Sequence, residues 1–384
     1  MITVENADKA LKDYYLDAIS AQLNDNISPF YNAIEKNTNN VFGKDVKISI
    51  VRDGSGSITA CAEDSDLPAP HKNRYIDITV PLKNLYGTIE ISDKALRASR
   101  DKSGAFVNLL NAEMEGLVNC AKRNFSRMLF GDGTAYLCSV QSCTEGNTYT
   151  VDDVSRLEVG MCIDIYPTKP SIMYDSFGVY IINIDTAKKT ITLNREVVDF
   201  IENGEVYPHD GKDGELTGLD AIFNGDTLYG HSKADKYFSP FIVDTGSEIT
   251  EDKMCEVIDG LEENFNSTVN MIICSYGMRK KIAALVSDNR RVVNSIDVHT
   301  GIGAVTVNGI PVYADKYCPD NCIYFLNTND FCLHQLCDWE WLEDEGGKIL
   351  KQVPGKAAYG ATLVKYAELV CKKPCGQGML RLRR

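Results

Sequence analysis

Nowhere in these 384 residues is there an apolar run approaching the roughly 20 residues of a membrane-spanning helix. The opening MITVENADKALKDYY lacks the basic n-region and apolar h-region of a secretory leader, so folding in a cytoplasm, with no membrane partner, is the expectation. Positive charge is scarce too: 40 lysines and arginines face 54 aspartates and glutamates, a formal net charge of -14. Affinity for nucleic acid comes mainly from lysine and arginine displacing counterions, which excludes a surface built to grip phosphate. Only the last stretch is locally basic, with Lys372, Lys373, Arg381, Arg383 and Arg384, and it reads as a solvated tail.

Catalytic signatures are missing as well. There is no GxSxG, no GxxxxGK[ST] and no HExxH. Gly54-Ser55-Gly56 precedes no helix and makes no dinucleotide fingerprint. The run Asp210 to Glu215 lacks the alternating ligands and distal glutamate of an EF-hand and reads as a turn. The five histidines, at 71, 209, 231, 299 and 334, form no cluster. Thirteen cysteines are an odd count, so at least one has no partner within the chain, and thiols are the expectation in a reducing compartment. Cys318-x3-Cys322, Cys332-x4-Cys337 and Cys371-x3-Cys375, with His334 among them, have spacings that zinc tolerates. They read instead as small buried hydrophobes, and no metal, cofactor or catalytic residue is expected.

What is present is a hydrophobic fraction of 44%, enough for two or three compact domains. The clearest element covers residues 95–134, ALRASRDKSGAFVNLLNAEMEGLVNCAKRNFSRMLFGDGT. Phe106, Leu110, Met114, Leu117, Ala121, Phe125 and Met128 follow one another in steps of three and four, the period of an amphipathic helix. Ser103 is its candidate N-cap, and Gly131 and Gly133 end it. Residues 5–24 read as a first amphipathic helix through Leu11, Tyr14, Tyr15, Ala18, Ile19 and Leu23.

Between Val46 and Ile91 the period changes to two, in KISIV, SITACA, YIDITV and YGTIEI, which predicts a long two-stranded arm. Ile76, Ile78, Val80 and Leu82 alternate with Tyr75, Asp77, Thr79 and the nearby Lys83, so one arm face is apolar. An isolated ribbon is marginal in water and needs a second surface, either another subunit or a sheet of its own chain. Residues 135–214 return to short β segments, with Asp185 to Lys189 as a hairpin turn, and suggest an inserted barrel or sandwich. Beyond them the pattern is mixed: a helix over 251–265 capped by Thr250, a buried strand MIIC at 271–274, a helix over 276–286, strands at VTV, IPVYA and CIYFLN, and a long extended run, KILKQVPGKAAYGATLVKYAELVC.

The blocks LYGTIEISDKALRAS, FGDGT, LTGLDAIFNGDTLYGHSKADKYFSPFIVD and GIPVYADKYCPDNCIYFLNTNDFCLHQLCDWEWLEDEGGKILKQVPGKAAYGATLVKYAELVCKKP, in this order, resemble the major capsid proteins of tailed bacteriophages with the Hong Kong 97 fold. The resemblance implies an α+β chain with an N-terminal arm (1–38), an extended loop (39–92), a peripheral domain with the spine helix (93–134) and its return strands (346–384), an inserted all-β domain (135–214) and an axial domain (215–345). It implies a structural, non-enzymatic shell protein forming hexamers and pentamers around a double-stranded DNA genome in the virion, assembled in a bacterial cytoplasm, with DNA held by proximity alone. Tyr75, Ile76, Ile78, Val80, Leu82 and Lys83 become the inter-subunit candidates. Self-crosslinking members join an extended-loop lysine, here Lys72 or Lys83, to an asparagine on the returning segment. No asparagine follows Asn329, so no isopeptide chainmail is expected. The arm is too short for a fused scaffolding domain, which implies a separate scaffold alongside a portal; a decoration protein is left open. Trp339 and Trp341 are expected where the axial and peripheral domains meet, with Asp338, Glu340, Glu343 and Glu345 solvated. An encapsulin-like cargo shell shares the fold, and a cysteine or zinc enzyme is the alternative of another class.

Overall fold

The computed structural model describes residues 28–39, 41–53, 72–94, 103–167, 176–197, 203–246, 248–289, 305–343 and 349–383, with isolated positions between them. The helix expected over residues 5–24 lies outside the described residues, as do the side chains of Phe106, Leu110 and Met114.

The spine helix runs Ser103–Met128, 26 residues, or about 39 Å at 1.5 Å per residue. Along its described part Val118 and Phe125 are buried, while Leu117, Ala121 and Met128 are half-buried. Its exit is tight: the Gly131 amide donates to Met128 O at 3.0 Å, and Gly133 turns away at φ +90°, a conformation that favours glycine.

The spine lies on a five-stranded sheet. Phe331–Trp341 runs antiparallel to Ala358–Cys371, from Phe331 opposite Cys371 to Trp341 opposite Leu363. Glu35–Asn37 adds in parallel to the first of these strands. Lys351–Gln352 and Lys83–Ser92 pair with the second. YGTIEI therefore does not belong to the arm. Leu85, Ile89 and Ile91 are buried against the sheet beneath the spine, and a Cβ on Gly87 would come within 2.8 Å of Leu117. Alternation shows which side chains of a strand face inward, but not which strand it pairs with.

The arm proper pairs Asp45–Asp53 with Arg74–Pro81, Ile48 opposite Ile78 and Val46 opposite Val80; Val41–Phe42 joins its base. SITACA forms no strand at its described positions.

A six-stranded sheet has the order Phe241–Thr245, Gly378–Leu382, Cys322–Leu326, Met271–Cys274, Ile310–Ala314, Thr306–Val307. Its central strands are buried at every position because both faces are covered, so alternate side chains feed different cores. Ile272, Cys274, Ile323 and Phe325 pack with Met254, Val257 and Leu261 of the helix Glu251–Phe265. Met271, Ile273, Tyr324 and Leu326 join the main core with Phe125, Phe130 and Trp339. Gly378–Leu382 lies in this sheet and not among the return strands, where residues 346–384 are expected as a group. The cause is steric: a Cβ on Gly378 would meet Leu261 and Val257 at 2.7 Å, so glycine lets the strand pass under the helix.

Between the spine and this sheet, six strands close into a barrel: Thr190–Leu193, Thr148–Val151, Cys138–Glu145, Glu205–Pro208, Cys162–Tyr166 and Val179–Asp185. It has its own core, including Val140, Tyr149, Ile163, Ile181, Ile191 and Val206. The closing strand Glu205–Pro208 pairs on both sides, with Cys138–Glu145 and Cys162–Tyr166.

Candidate assembly surface

The arm alternates as its sequence requires, and its apolar face is largely used within the chain. Ile78 is 0% and Val80 4% exposed in the main core, and Ile76 and Leu82 are half-buried. The opposite face carries Tyr75, 63% exposed, directly across from Val51, 47% exposed. The arm is also tied to its own body. Arg52 makes a two-pronged contact with Asp235, at 2.8 and 2.9 Å. His231 Nε2 donates to Asp77 O at 3.2 Å. At the root, Lys83 Nζ donates to Asp213 O at 2.8 Å. Of the six contact candidates, Tyr75 alone is exposed; Ile78 and Val80 have their partners in the same chain.

Carboxylates anchor the barrel on both sides. Between the strands Thr148–Val151 and Cys162–Tyr166, Glu158 accepts from Arg123 Nε of the spine at 2.6 Å, and from Lys316 Nζ and the Tyr317 hydroxyl at 3.1 Å each. On exit, Glu215 meets Arg127 of the spine inside the core. Two residues later the Thr217 amide donates to Glu368 Oε1 at 2.7 Å, and Leu369 N adds a second bond at 3.1 Å. Glu368 is 1% exposed, and burial pushes its carboxyl up to about 7 against the bonds from Thr217 and the field of Lys83.

Lys365 is the least expected member. Its neighbours on one strand face, Ala361, Leu363, Ala367 and Leu369, all belong to the core, so the alternation of ATLVKYAEL itself places Lys365 inside. It is fully buried, with Nζ 2.6 Å from Asp338 Oδ1 and 2.9 Å from Gln335 Oε1, beneath the rings of Phe125 and Trp339. Burial lowers its pKa, and Asp338 opposes that shift. Asp338, its side chain 32% exposed, is thus the counter-ion of a buried amine and only partly the solvated residue expected of DWEWLEDE. Trp339 and Trp341 are buried, Trp339 edge-on to Phe125 of the spine at 6.4 Å.

All thirteen cysteines are free. Cys318 and Cys322 adjoin, and their mutual hydrogen bond together with burial holds the Cys318 thiol well above its ordinary value. Burial pushes Cys332 and Cys337 up to about 11. Among the described residues the ligand-type atoms that gather belong to Asp164, His209 and Asp210. Asp164 accepts from Gly178 N at 2.8 Å and Asp210 N at 2.9 Å, and stands 2.7 Å from His209 Nδ1. That carboxylate ties the barrel's rim together.

Compared with protein-family models and with curated proteins, the chain matches none. Among solved structures it is similar to the capsid of cyanophage A-1(L), with a TM-score of 0.55 at 11% identity over 92% of both chains. The capsid of an empty GTA particle is similar with a TM-score of 0.51 at 12% identity, over 93% of this chain and 90% of the other. The fold is the Hong Kong 97 capsid fold. No helix among the described residues is long and apolar enough to cross a membrane.

Proposed function

We propose that this chain is the major capsid protein of a tailed bacteriophage, a structural and non-enzymatic subunit that assembles into hexamers and pentamers of an icosahedral shell around double-stranded DNA. One observation carries the reading: the likeness to a phage capsid chain extends over 92% of both chains. The physical logic is heterologous association. Head-to-tail contacts close into rings when the rotation allows, whereas a self-complementary patch stops at a dimer. A subunit whose arm is rooted at Lys83 and packs one face on its own body offers different surfaces fore and aft. Tyr75 and Val51, exposed side by side, are the part of the arm available to a neighbour.

The proposed divisions are an N-terminal arm to residue 38, an extended loop to 92, a spine and peripheral domain, the inserted barrel within 135–214, and an axial domain to 345 that also receives the last strand. A separate scaffold and a portal complete the proposed partners; DNA is retained by enclosure, consistent with the net charge of -14. The shell belongs to the virion and assembles in the host cytoplasm. Electron microscopy of the purified chain, alone and co-expressed with its scaffold, tests this: closed shells or capsomer rings are expected. A compact monomer at high concentration in both samples overturns it.

A further inference from the structure

A cleft of about 730 Å³ opens between the short helix Pro29–Ala33, the spine and the strand Ile310–Ala314. Its floor is apolar: Met271 and Tyr317 are buried there and Tyr313 is half-buried. Its rim is basic. Lys122, Arg123 and Lys316 line it, and at the edge Arg279 lies 5.4 Å from the centre of the exposed Tyr276 ring. The one carboxylate in the lining, Asp315, is spent on the protein itself. It accepts from Ser28 Oγ at 2.6 Å and from Tyr317 N at 3.0 Å, and burial disfavours its charge. Glu158 is shared by Arg123 and Lys316, one negative charge between two cations. Lys122 is half-buried and has no ion pair among the described residues. Positive charge is therefore in excess at this rim, on a chain whose net charge is -14.

We propose that this cleft is a docking site for an acidic peptide segment of a second, different protein, one that presents an aromatic or leucine side chain between carboxylates. A centre of tyrosine and methionine inside a charged rim has the anatomy of a protein interface, where tyrosine, methionine and arginine are enriched. The apolar side chain fills the floor and releases its water. The carboxylates meet the rim cations, which steer the approach and select against basic partners. Charge favours a peptide over nucleic acid, the other polyanion. A few cations balance a few carboxylates, whereas a phosphate backbone brings a charge with every nucleotide towards a surface that is acidic elsewhere.

The test is fluorescence anisotropy of a short fluorescein-labelled peptide, glutamate pairs separated by leucine and tyrosine, titrated with the full chain. Saturable binding is expected, weakening as salt rises, with no binding of the same peptide carrying lysine for glutamate. Lys122→Glu is expected to weaken it several-fold. Lys188→Glu, the same change of charge at an exposed lysine on a barrel hairpin, is expected to leave it unchanged. Tyr276→Ala, at an exposed position outside the core, is expected to weaken it as well and stands in should Lys122→Glu fold poorly. Absence of binding overturns the proposal, as it does if the cleft is already filled. Equal weakening by Lys122→Glu and Lys188→Glu overturns it by showing diffuse attraction, and tighter binding of a fluorescein-labelled oligothymidylate overturns it in favour of nucleic acid. The titration is read on dispersed subunits, so its outcome does not depend on whether shells form.

Discussion

Arg127 and Glu215 form a fork-to-fork ion pair inside the core, with Nη1 donating to Oε2 at 2.9 Å and a second contact between Nη2 and Oε1. The side chains are 5% and 6% exposed. The pair joins the last turn of the spine to the segment leaving the barrel, 88 residues later in the chain. Removing one partner strands the other charge in a dry interior, which costs about 3–5 kcal/mol, whereas replacing both by apolar groups of similar volume is often close to neutral. Arg127→Ala and Glu215→Ala are therefore each expected to lower the urea midpoint severely, and Arg127→Met with Glu215→Leu to restore most of it. Equal loss in all three variants means that this pair does not hold the junction.

Glu368 makes stability depend on pH in an uncommon direction. Its folded pKa, near 7, lies above the value of 4.5 that an unperturbed glutamate has, so folding favours the protonated form. Its contribution is complete below about 4.5 and is lost as pH rises through 7, a change on the order of 3 kcal/mol at 1.36 kcal/mol per pH unit. Glu368→Gln keeps an oxygen for the Thr217 and Leu369 amides and has no proton to lose. Unfolding midpoints between pH 5 and 8.5 are expected to fall for the parent across this window and to stay flat, and higher at the alkaline end, for the variant.

Gly218 answers to space rather than to backbone freedom, since its φ of -86° suits any residue. A Cβ there would lie 2.6 Å from Leu129 O and 2.7 Å from Gly131 O, both backbone atoms that cannot swing aside. The exit of the spine and the start of the helix Leu219–Phe223 are in this sense built around a hydrogen atom. Gly218→Ala is expected to cost about 3 kcal/mol, the upper end of what overpacking costs. Soluble yield at 37 °C and the denaturation midpoint both report it, while Gly246→Ser, at an exposed position where an added Cβ meets nothing within 4 Å, serves as a control for handling.

Elements set by local chemistry were legible in the sequence; those set by distant partners were not. Steps of three and four located the spine, and the Gly-Asp-Gly stop located its end. Thr250 caps its helix as expected, accepting from Lys253 N at 3.3 Å, but the other end of that helix turns on Asn266 at φ 47°, with no glycine to signal it. The hairpin at Asp185 to Lys189 joins Val179–Asp185 to Thr190–Leu193. The strand Glu205–Pro208 went unseen because four residues ending in proline carry too little alternation to register. YGTIEI was given to the arm because its periodicity is the same whether it pairs with YIDITV or, as it does, with Ala358–Cys371. Period two alone puts Cys332, His334 and Leu336 on one side of a strand, yet Cys332 and His334 are fully buried and Leu336 is 54% exposed. The register shift between Gln335 and Cys337 breaks the period there.

On the proposed reading the arm separates folding from assembly, because one face packs within its own chain and the other is left for a neighbour. Ile78 is buried in its own chain, so Ile78→Ala removes packing that the monomer needs and is expected to cost about 2–4 kcal/mol before any shell forms. Tyr75 is 63% exposed on the other face. Substitutions at such positions usually change monomer stability by no more than about 0.5 kcal/mol. Tyr75→Ala, with Val51→Ser beside it, is expected to leave the melting curve of the dispersed subunit unchanged and to reduce shell yield, scored by sedimentation and microscopy, by several-fold. If shells form normally while the subunit stays stable, this face is not an inter-subunit contact. The capsomer interface would then have to be sought on the spine or the axial edge.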